Sequence, residues 1–160
     1  DCKEVPPGET GRIFVGNELQ FEGYTGGGHK AFIEGLMSSG DVGHFDEDGR
    51  LFIDGRDDEM IVSGGENVFP REVEDSISHI PGVDEVAIIG VPDDDFGQRL
   101  CAFVVVDDGA TVTADQIKKH VKANLASYKV PRDVVFMEEL PRNATGKILK
   151  RVLAEQPQSG

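Results

Sequence analysis

One lysine near the end of the chain stands in a segment whose composition could support chemistry on an anion. The segment is PRNATGK, residues 141–147. We predict that Lys147 lies at the tip of a glycine-containing turn, where a last short helix begins with Ile148, Leu149 and Val152 as its apolar positions. Cations are disfavoured in the first turn of a helix, because the exposed N–H groups there carry partial positive charge. A lysine kept in such a place suggests an anionic ligand.

Two upstream segments offer further chemistry. Asp41, in SGD (residues 39–41), carries a carboxylate that can accept two hydrogen bonds at once, as the two hydroxyls of a ribose require. The loop SGGEN (residues 63–67) contains two adjacent glycines, which remove side chains and allow positive φ, so that a ligand could approach the backbone closely. The simpler alternatives are a turn aspartate after glycine and an ordinary connecting loop.

The composition restricts the class of protein. With 160 residues, the chain could hold one domain, or a small domain and part of another. A formal net charge of −14 argues against sequence-independent binding to nucleic acid or anionic lipid. We expect no signal peptide and no membrane span, since no apolar run approaches the ~18 residues that a span needs. An anion could still bind through a few local basic side chains.

Cysteine and histidine usage predicts neither a disulfide nor a metal site. Cys2 lies near the first residue, and Cys101 lies inside an apolar run where it should be a small buried side chain. We therefore expect a reducing, cytoplasmic environment. The four histidines are scattered without ligand spacing.

The hydrophobic pattern divides the chain into two parts. Residues 1–57 are rich in glycine and short apolar runs, and we interpret them as a β-rich, incomplete end of a larger domain. Residues 58–153 predict a compact α+β domain, with a short central sheet packed by about three helices. Residues 154–160 form a polar tail that we expect to be disordered.

The elements of the second part follow from caps and periodicity. Pro70 begins a helix with Val73, Ile77 and Ile80 on one face, and the sequence Pro81-Gly82 ends it. Thr113 and Gln116 form a capping box before a second helix. The strands are predicted at residues 60–62, 85–91, 100–106 and 134–137, and in the first part at 11–16 and 50–54.

Taken together, these segments resemble the adenylate-forming superfamily, specifically its acyl-CoA synthetases. The resemblance depends on GD (40–41), on GRDDEMIVSGGENV (55–68) followed by Pro70 and EVE (72–74), and on residues 141–147. It extends from about residue 7 to residue 153, in the order and spacing of the C-terminal third of that family. The phosphate-binding loop and the acyl pocket of the family have no counterpart here. We therefore expect a missing N-terminal adenylation domain.

The resemblance implies a role for each matching residue. Asp41 would hold the ribose of ATP and of the acyl-adenylate, and Arg56 would reach the nucleotide. Asp58 would be the hinge about which the C-terminal domain turns between two half-reactions. Lys147 would stabilise the charge that develops during adenylation. The alternatives are a turn aspartate, a surface ion pair and a solvated lysine beside Lys150.

The resemblance also implies a path for CoA. The loop containing Ser63, Gly64, Gly65 and Glu66 would line the tunnel for the pantetheine thiol. The nucleotide of CoA would meet Tyr128, Lys129 and Arg132, although packing of Tyr128 in the core is an equal alternative.

The resemblance implies a two-step ligase that activates a carboxylic acid, a fatty or aryl acid, as acyl-AMP and transfers it to CoA. ATP and CoA would be substrates, Mg2+ would accompany ATP, and the chain alone would be inactive. Two alternatives stay open. The chain could be a non-catalytic module that binds CoA or a carrier protein, or its parent could load a carrier protein.

Overall fold

The computed structural model describes residues 3–16 and 31–156. The chain forms two compact units, Asp1–Glu59 and Met60–Gly160. Cys2, the three glycines at 26–28 and residues 157–160 of the expected tail lie outside the described residues.

The first unit is an antiparallel sheet arranged around one long strand. The strand β3 pairs with each of the other three strands. The turn between β3 and β4 is closed by Asp46, whose carboxylate accepts hydrogen bonds from the backbone N–H groups of Asp48 and Arg50 at 3.0 and 2.8 Å. The strands are β1 (Gly11–Val15), β2 (Phe32–Ile33), β3 (Leu36–Phe45) and β4 (Leu51–Arg56).

The first unit buries little apolar surface of its own. Among its described residues, Val42 is the one hydrophobic side chain that is buried. Large apolar side chains are instead exposed: Val5, Val15, Phe32, Leu36, Phe45, Leu51, Phe52 and Ile53. An exposed apolar set of this kind is typical of a surface that contacts another protein surface.

The second unit is a sheet covered on both faces. The long strand β8 pairs with β7 antiparallel over nearly its whole length, with β9 in parallel, and with β5 at one position. Strands β5 and β6 form a hairpin. The elements are β5 (Ile61–Ser63), β6 (Glu66–Val68), α1 (Pro70–Ser78), β7 (Val83–Asp93), β8 (Gly97–Val106), α2 (Ala114–Asn124), β9 (Asp133–Phe136) and α3 (Lys150–Ala154).

Alternation along β8 divides the buried side chains between two cores. Successive side chains of a strand point to opposite faces. Leu100, Ala102 and Val104 belong to the first core, which includes residues of α1 and α2. Cys101 and Phe103 belong to the second core, which includes Leu140 and Leu153. The sheet is therefore buried on both faces, as its near-continuous apolar strands predict.

The structure confirms the α+β class. Pro70 opens α1 at its first turn, and Val73 and Ile77 are buried. Thr113 caps α2 reciprocally with Gln116, as the capping box predicts. None of the helices within residues 3–16 and 31–156 is long and apolar enough to cross a membrane.

Two local predictions were wrong in their boundaries. The last helix begins at Lys150, not at Lys147, so Ile148 and Leu149 precede it and Leu153 is its buried residue. Ile148 instead forms an isolated antiparallel bridge with Arg142. The predicted loop of residues 63–67 is shorter than expected, because Ser63 and Glu66 pair directly as parts of two strands and leave a two-residue turn.

Candidate functional site

Asp41 and Arg56 face each other across the first sheet. They are register partners of β3 and β4, and Arg56 Nη1 lies 3.3 Å from Asp41 Oδ1. The carboxylate is partly buried, whereas the guanidinium is half exposed. The arrangement places one anion and one planar cation side by side, so it can offer both an acceptor for hydroxyls and a donor for phosphate oxygens.

The backbone before Asp41 is fixed by two serines and a glycine. Ser38 Oγ accepts from the N–H of Gly40 at 3.2 Å, and Ser39 Oγ accepts from the N–H of Asp41 at 3.0 Å. Gly40 has φ of 85°, and a Cβ there would lie 3.2 Å from Arg56 Nη2. Only a glycine combines that φ with room for the guanidinium. The sequence SSGD therefore positions the carboxylate.

Arg56 also contacts the predicted hinge residue. Its Nε lies 3.1 Å from Asp58 Oδ1, within the 3-10 turn Asp57–Glu59 that follows β4. The hydrogen bond and the charge of Asp58, and then the charge of Asp41, raise the pKa of the Arg56 guanidinium above its ordinary value. Arg56 thus stays cationic between the two carboxylates. It connects Asp41, the residue predicted to bind ribose, with Asp58, the predicted hinge.

The loop that carries Lys147 is closed by one asparagine. Asn143 Oδ1 accepts hydrogen bonds from the N–H and hydroxyl of Thr145 at 3.0 and 2.8 Å and from the N–H of Lys147 at 2.9 Å. The N–H of Asn143 donates to the carbonyl of Lys147 at 2.9 Å. Gly146, with φ of 84°, makes the reversal possible. Lys147 is exposed, and within the described part of the chain its ammonium has no hydrogen-bond or ion-pair partner.

The same loop is attached to the sheet at both ends. Arg142 donates to the carbonyl of Gly146 at 2.7 Å and to Glu85 Oε1 on β7 at 2.6 Å. Leu140 is buried before the loop, and Ile148 packs against the second core after it. A lysine on so constrained a backbone presents its amine from a fixed position, as electrostatic stabilisation of a reacting group requires.

The predicted tunnel residues form the tip of the β5–β6 hairpin. Gly64 and Gly65 have φ of 61° and 86°, the pair of positive values that a type I′ turn requires. Ser63 and Glu66 are the pair that closes it. Gly65 has no heavy atom within 4 Å of where its Cβ would lie, so one face of the turn is open to a ligand.

The three residues predicted for the CoA nucleotide are not equally available. Lys129 Nζ lies 2.5 Å from Glu72 Oε2, and its side chain is only 16% exposed. Arg132 is 50% exposed and lies 3.6 Å from Asp93. Tyr128 is exposed rather than packed in the core. Arg132 and Tyr128 are therefore better placed for a ligand than Lys129.

Sequence reasoning missed the residues that hold these groups in place. Asn143 and Arg142 position the lysine loop, and Ser38 positions the aspartate. An asparagine two residues before a threonine and four before Lys147 is a recognisable side-chain turn signal. No group of three or more His, Cys, Asp and Glu side chains placed to hold a metal ion occurs in residues 3–16 and 31–156.

Comparisons with known proteins agree on one family. Residues 72–147 match the model of the AMP-binding enzyme C-terminal domain. The long-chain-fatty-acid–CoA ligase FadD13 of Mycobacterium tuberculosis (strain ATCC 25618 / H37Rv) is 49% identical over 126 residues, which are 79% of this chain and 25% of that protein.

Two solved structures extend the likeness to nearly the whole chain. ATP-bound MatB from Rhodopseudomonas palustris is 40% identical with a TM-score of 0.84, over 96% of this chain and 31% of that one. The o-succinylbenzoate CoA synthetase MenE of Bacillus subtilis, in complex with its acyl-adenylate intermediate, is 31% identical with a TM-score of 0.86. The match covers 98% of this chain and 32% of that one.

The chain thus spans about a quarter to a third of the length of the relatives that it matches. The segment matched by the family model ends at Lys147, and the likeness to MatB extends over nearly the whole chain, so the fold is shared as well as the sequence. The chain belongs to the adenylate-forming superfamily, and it matches the AMP-binding C-terminal domain of that superfamily.

Proposed function

We propose that this chain is the C-terminal part of an ATP-dependent acyl-CoA ligase, with Lys147 as the residue that promotes adenylation. The observation that carries the proposal is the loop of residues 141–147, which holds Lys147 by its backbone and leaves its ammonium exposed. The names of the relatives, which are CoA ligases and synthetases, support the same reaction class.

The first half-reaction joins a carboxylate to ATP. A carboxylate oxygen attacks the α-phosphorus, the bond to the bridging oxygen breaks, and pyrophosphate leaves, so negative charge accumulates between two anions. The Lys147 ammonium stabilises that charge, and a preorganised donor of this kind contributes ~3 kcal/mol or more in a closed site. Asp41 accepts from the ribose hydroxyls, while Arg56 donates to nucleotide oxygens.

The second half-reaction transfers the acyl group to sulfur. The thiol of CoA gives its proton to water, its sulfur forms a bond to the acyl carbon, and the bond between that carbon and the phosphate oxygen breaks, so that AMP leaves. We assign Ser63, Gly64, Gly65 and Glu66 to the pantetheine path, since the hairpin tip offers an open backbone. Of the basic residues near the proposed CoA nucleotide, Arg132 takes the phosphate contact, because its side chain is half exposed, whereas that of Lys129 is largely buried and pairs closely with Glu72. Asp58 is the proposed hinge between the two arrangements.

Residues outside this chain complete the enzyme in this proposal. The exposed apolar side chains of the first unit, of which Phe45 and Phe52 are examples, are covered by the rest of an N-terminal adenylation domain. The acid is proposed to be a fatty acid, with an aryl acid as the alternative that the o-succinylbenzoate relative suggests. Mg2+ would accompany ATP.

The test separates the two half-reactions in the intact parent enzyme. We expect Lys147→Ala to lower ATP–pyrophosphate exchange about 100-fold, since ~3 kcal/mol of stabilisation is lost. Thioester formation from supplied acyl-adenylate and CoA should stay within about twofold. Lys150→Ala is the matched control, because it removes a lysine three residues away that lies 3.4 Å from Glu74. If Lys147→Ala lowered pyrophosphate exchange and thioester formation equally, the assignment of Lys147 to adenylation would be contradicted.

A second assay concerns the chain by itself. We propose that the purified 160 residues have no ligase activity, because the phosphate loop and the acyl pocket belong to the rest of the parent. Formation of acyl-CoA by this chain from ATP, CoA and a panel of fatty acids would refute that part. Tight binding of CoA without turnover would favour a separate binding module.

A further inference from the structure

The glycine hairpin of residues 63–66 is attached to β8 through three consecutive residues. The carbonyl of Phe96 accepts from the N–H of Gly64 at 3.0 Å. Gly97 pairs with Ser63. The side-chain oxygen of Gln98 accepts from the N–H of Val62 at 3.0 Å. The position of the hairpin tip therefore depends on the short segment at the start of β8.

The Phe96 ring touches the hairpin directly. A Cβ at Gly64 would lie 2.9 Å from Phe96 Cδ1, so the ring packs against the Gly64 backbone where other residues carry a side chain. Phe96 is nevertheless 40% exposed, which is unusual for an aromatic side chain whose purpose is core packing.

The guanidinium of Arg132 packs on the same ring. The guanidinium carbon of Arg132 lies 4.1 Å from the Phe96 ring centroid, within the range of a cation–π contact. The backbone beneath Arg132 is also held, because Lys118 Nζ donates to its carbonyl at 2.5 Å. The ring contact and the held backbone together fix the direction of the Arg132 side chain. Half of that side chain remains exposed, so it stays accessible to a ligand.

Asp93 fixes the turn that presents the ring. One carboxylate oxygen accepts from the N–H groups of Asp95 and Phe96 at 3.1 and 3.0 Å. The other oxygen faces Arg99 at 3.5 Å and Arg132 at 3.6 Å. One short turn thus determines where both the hairpin tip and the Arg132 guanidinium lie.

We propose that Phe96 is a positioning residue for CoA, which sets the distance between the pantetheine path at Gly64 and the phosphate contact at Arg132. The inference rests on the proposed function, since it assumes that both groups meet the same CoA molecule. Phe96 acts through its two neighbours, so its loss changes CoA binding and leaves the adenylation half-reaction intact. If Phe96 only filled space, its loss would lower the rates of both half-reactions to a similar extent.

The experiment uses the intact parent enzyme with Phe96→Leu and Phe96→Met, which remove the ring but keep an apolar side chain. We expect the KM for CoA in thioester formation to rise about tenfold in both variants. The kcat of that step and ATP–pyrophosphate exchange should stay within about twofold. Phe96→Tyr keeps the ring and should restore the KM for CoA.

Phe136→Leu is the matched control, because Phe136 lies on β9 of the same unit and is 43% exposed. It should leave the KM for CoA unchanged. The inference is overturned if the KM for CoA stays within twofold in Phe96→Leu and Phe96→Met. It is also overturned if pyrophosphate exchange falls in parallel, or if Phe136→Leu behaves like Phe96→Leu.

The wild-type enzyme distinguishes this inference from the proposed function. A wild-type parent that forms acyl-adenylate but no thioester with CoA contradicts the proposed function, and the inference falls with it. A wild-type parent that forms acyl-CoA, with Phe96 variants that match it, contradicts the inference alone.

Discussion

Asn143 and Lys147 exchange a reciprocal pair of hydrogen bonds across the loop between Leu140 and α3. The side-chain oxygen of Asn143 accepts from the N–H of Lys147, and the N–H of Asn143 donates to the carbonyl of Lys147, both at 2.9 Å. The lysine backbone is therefore fixed by an asparagine four residues earlier, not by a helix. The side chain of Lys147 is exposed on this closed backbone, so the loop determines where the amine begins.

Asn143→Ala should weaken adenylation without abolishing it. The substitution removes three hydrogen bonds to one oxygen, each worth ~1 kcal/mol in a folded protein, although water replaces part of that in an exposed loop. We expect ATP–pyrophosphate exchange by the parent to fall about tenfold. Asn143→Asp retains the accepting oxygen and should stay within about threefold. Equal losses in the two variants would show that the oxygen does not position the lysine.

Arg56→Lys should raise the KM for ATP. An ammonium cannot contact both Asp41 and Asp58 in the way that the planar guanidinium does. We expect a rise of about tenfold, measured by pyrophosphate exchange. Arg50→Lys is the control, since Arg50 also pairs with two aspartates but in the β3–β4 turn. A similar rise in the Arg50 variant would refute a specific role for Arg56.

Cys101 should be unreactive until the second unit unfolds. Burial, and then the charge of Asp133, raises the pKa of its thiol to about 12. Since the thiolate is the reactive form, thiol reagents at pH 8 should label a Cys2→Ser version of the chain very slowly. Labelling should become rapid at the urea concentration that unfolds the second unit, monitored by circular dichroism. Rapid labelling of the folded chain would contradict the burial of this side chain.

The charge of Asp93 should stabilise the second unit in a pH-dependent way. Burial raises the pKa of its carboxyl, but hydrogen bonds from Phe96 and Asp95 and the charges of Arg132 and Arg99 together hold that pKa below its ordinary value of 3.8. The folded state therefore binds the proton more weakly than the unfolded chain. The stabilisation is complete above the ordinary value and is lost as the pH falls through the lower, folded-state pKa.

The free energies of unfolding in urea of wild type and Asp93→Asn should thus differ at pH 7, and the gap should close progressively as the pH falls from about 4 through the lower, folded-state pKa. Asp94→Asn removes an exposed charge next to it and should differ little from wild type at either pH. A constant gap between wild type and Asp93→Asn at all pH values would show that the charge of Asp93 is not responsible.

The sequence correctly predicted the helices and strands that are determined by a few neighbouring residues. Pro70, the capping box of Thr113 with Gln116, and the apolar runs of β7 and β8 each fixed one element with little ambiguity. The predicted roles of Asp41, Arg56, Asp58 and Lys147 came from resemblance, and they stay predictions.

The sequence could not predict features that depend on distant partners. Helical spacing of Ile148 and Val152 suggested that α3 begins near Lys147, but Arg142 pairs with Ile148 and with Glu85, which is 57 residues away. The contact of Phe96 with Arg132 is similar, because no local pattern brings the two together. Tertiary contacts override helix propensity in such segments.

The loop of Lys147 is enclosed between two buried leucines, Leu140 before it and Leu153 after it, both in the second core with Phe103. Interiors are close-packed, so a change of one methylene among these side chains shifts their neighbours. The position of the amine therefore depends on how tightly the second core, which includes Leu140, Phe103 and Leu153, stays packed. Softening of that core on warming would lower adenylation before the chain unfolds, and would set an upper working temperature below the melting temperature.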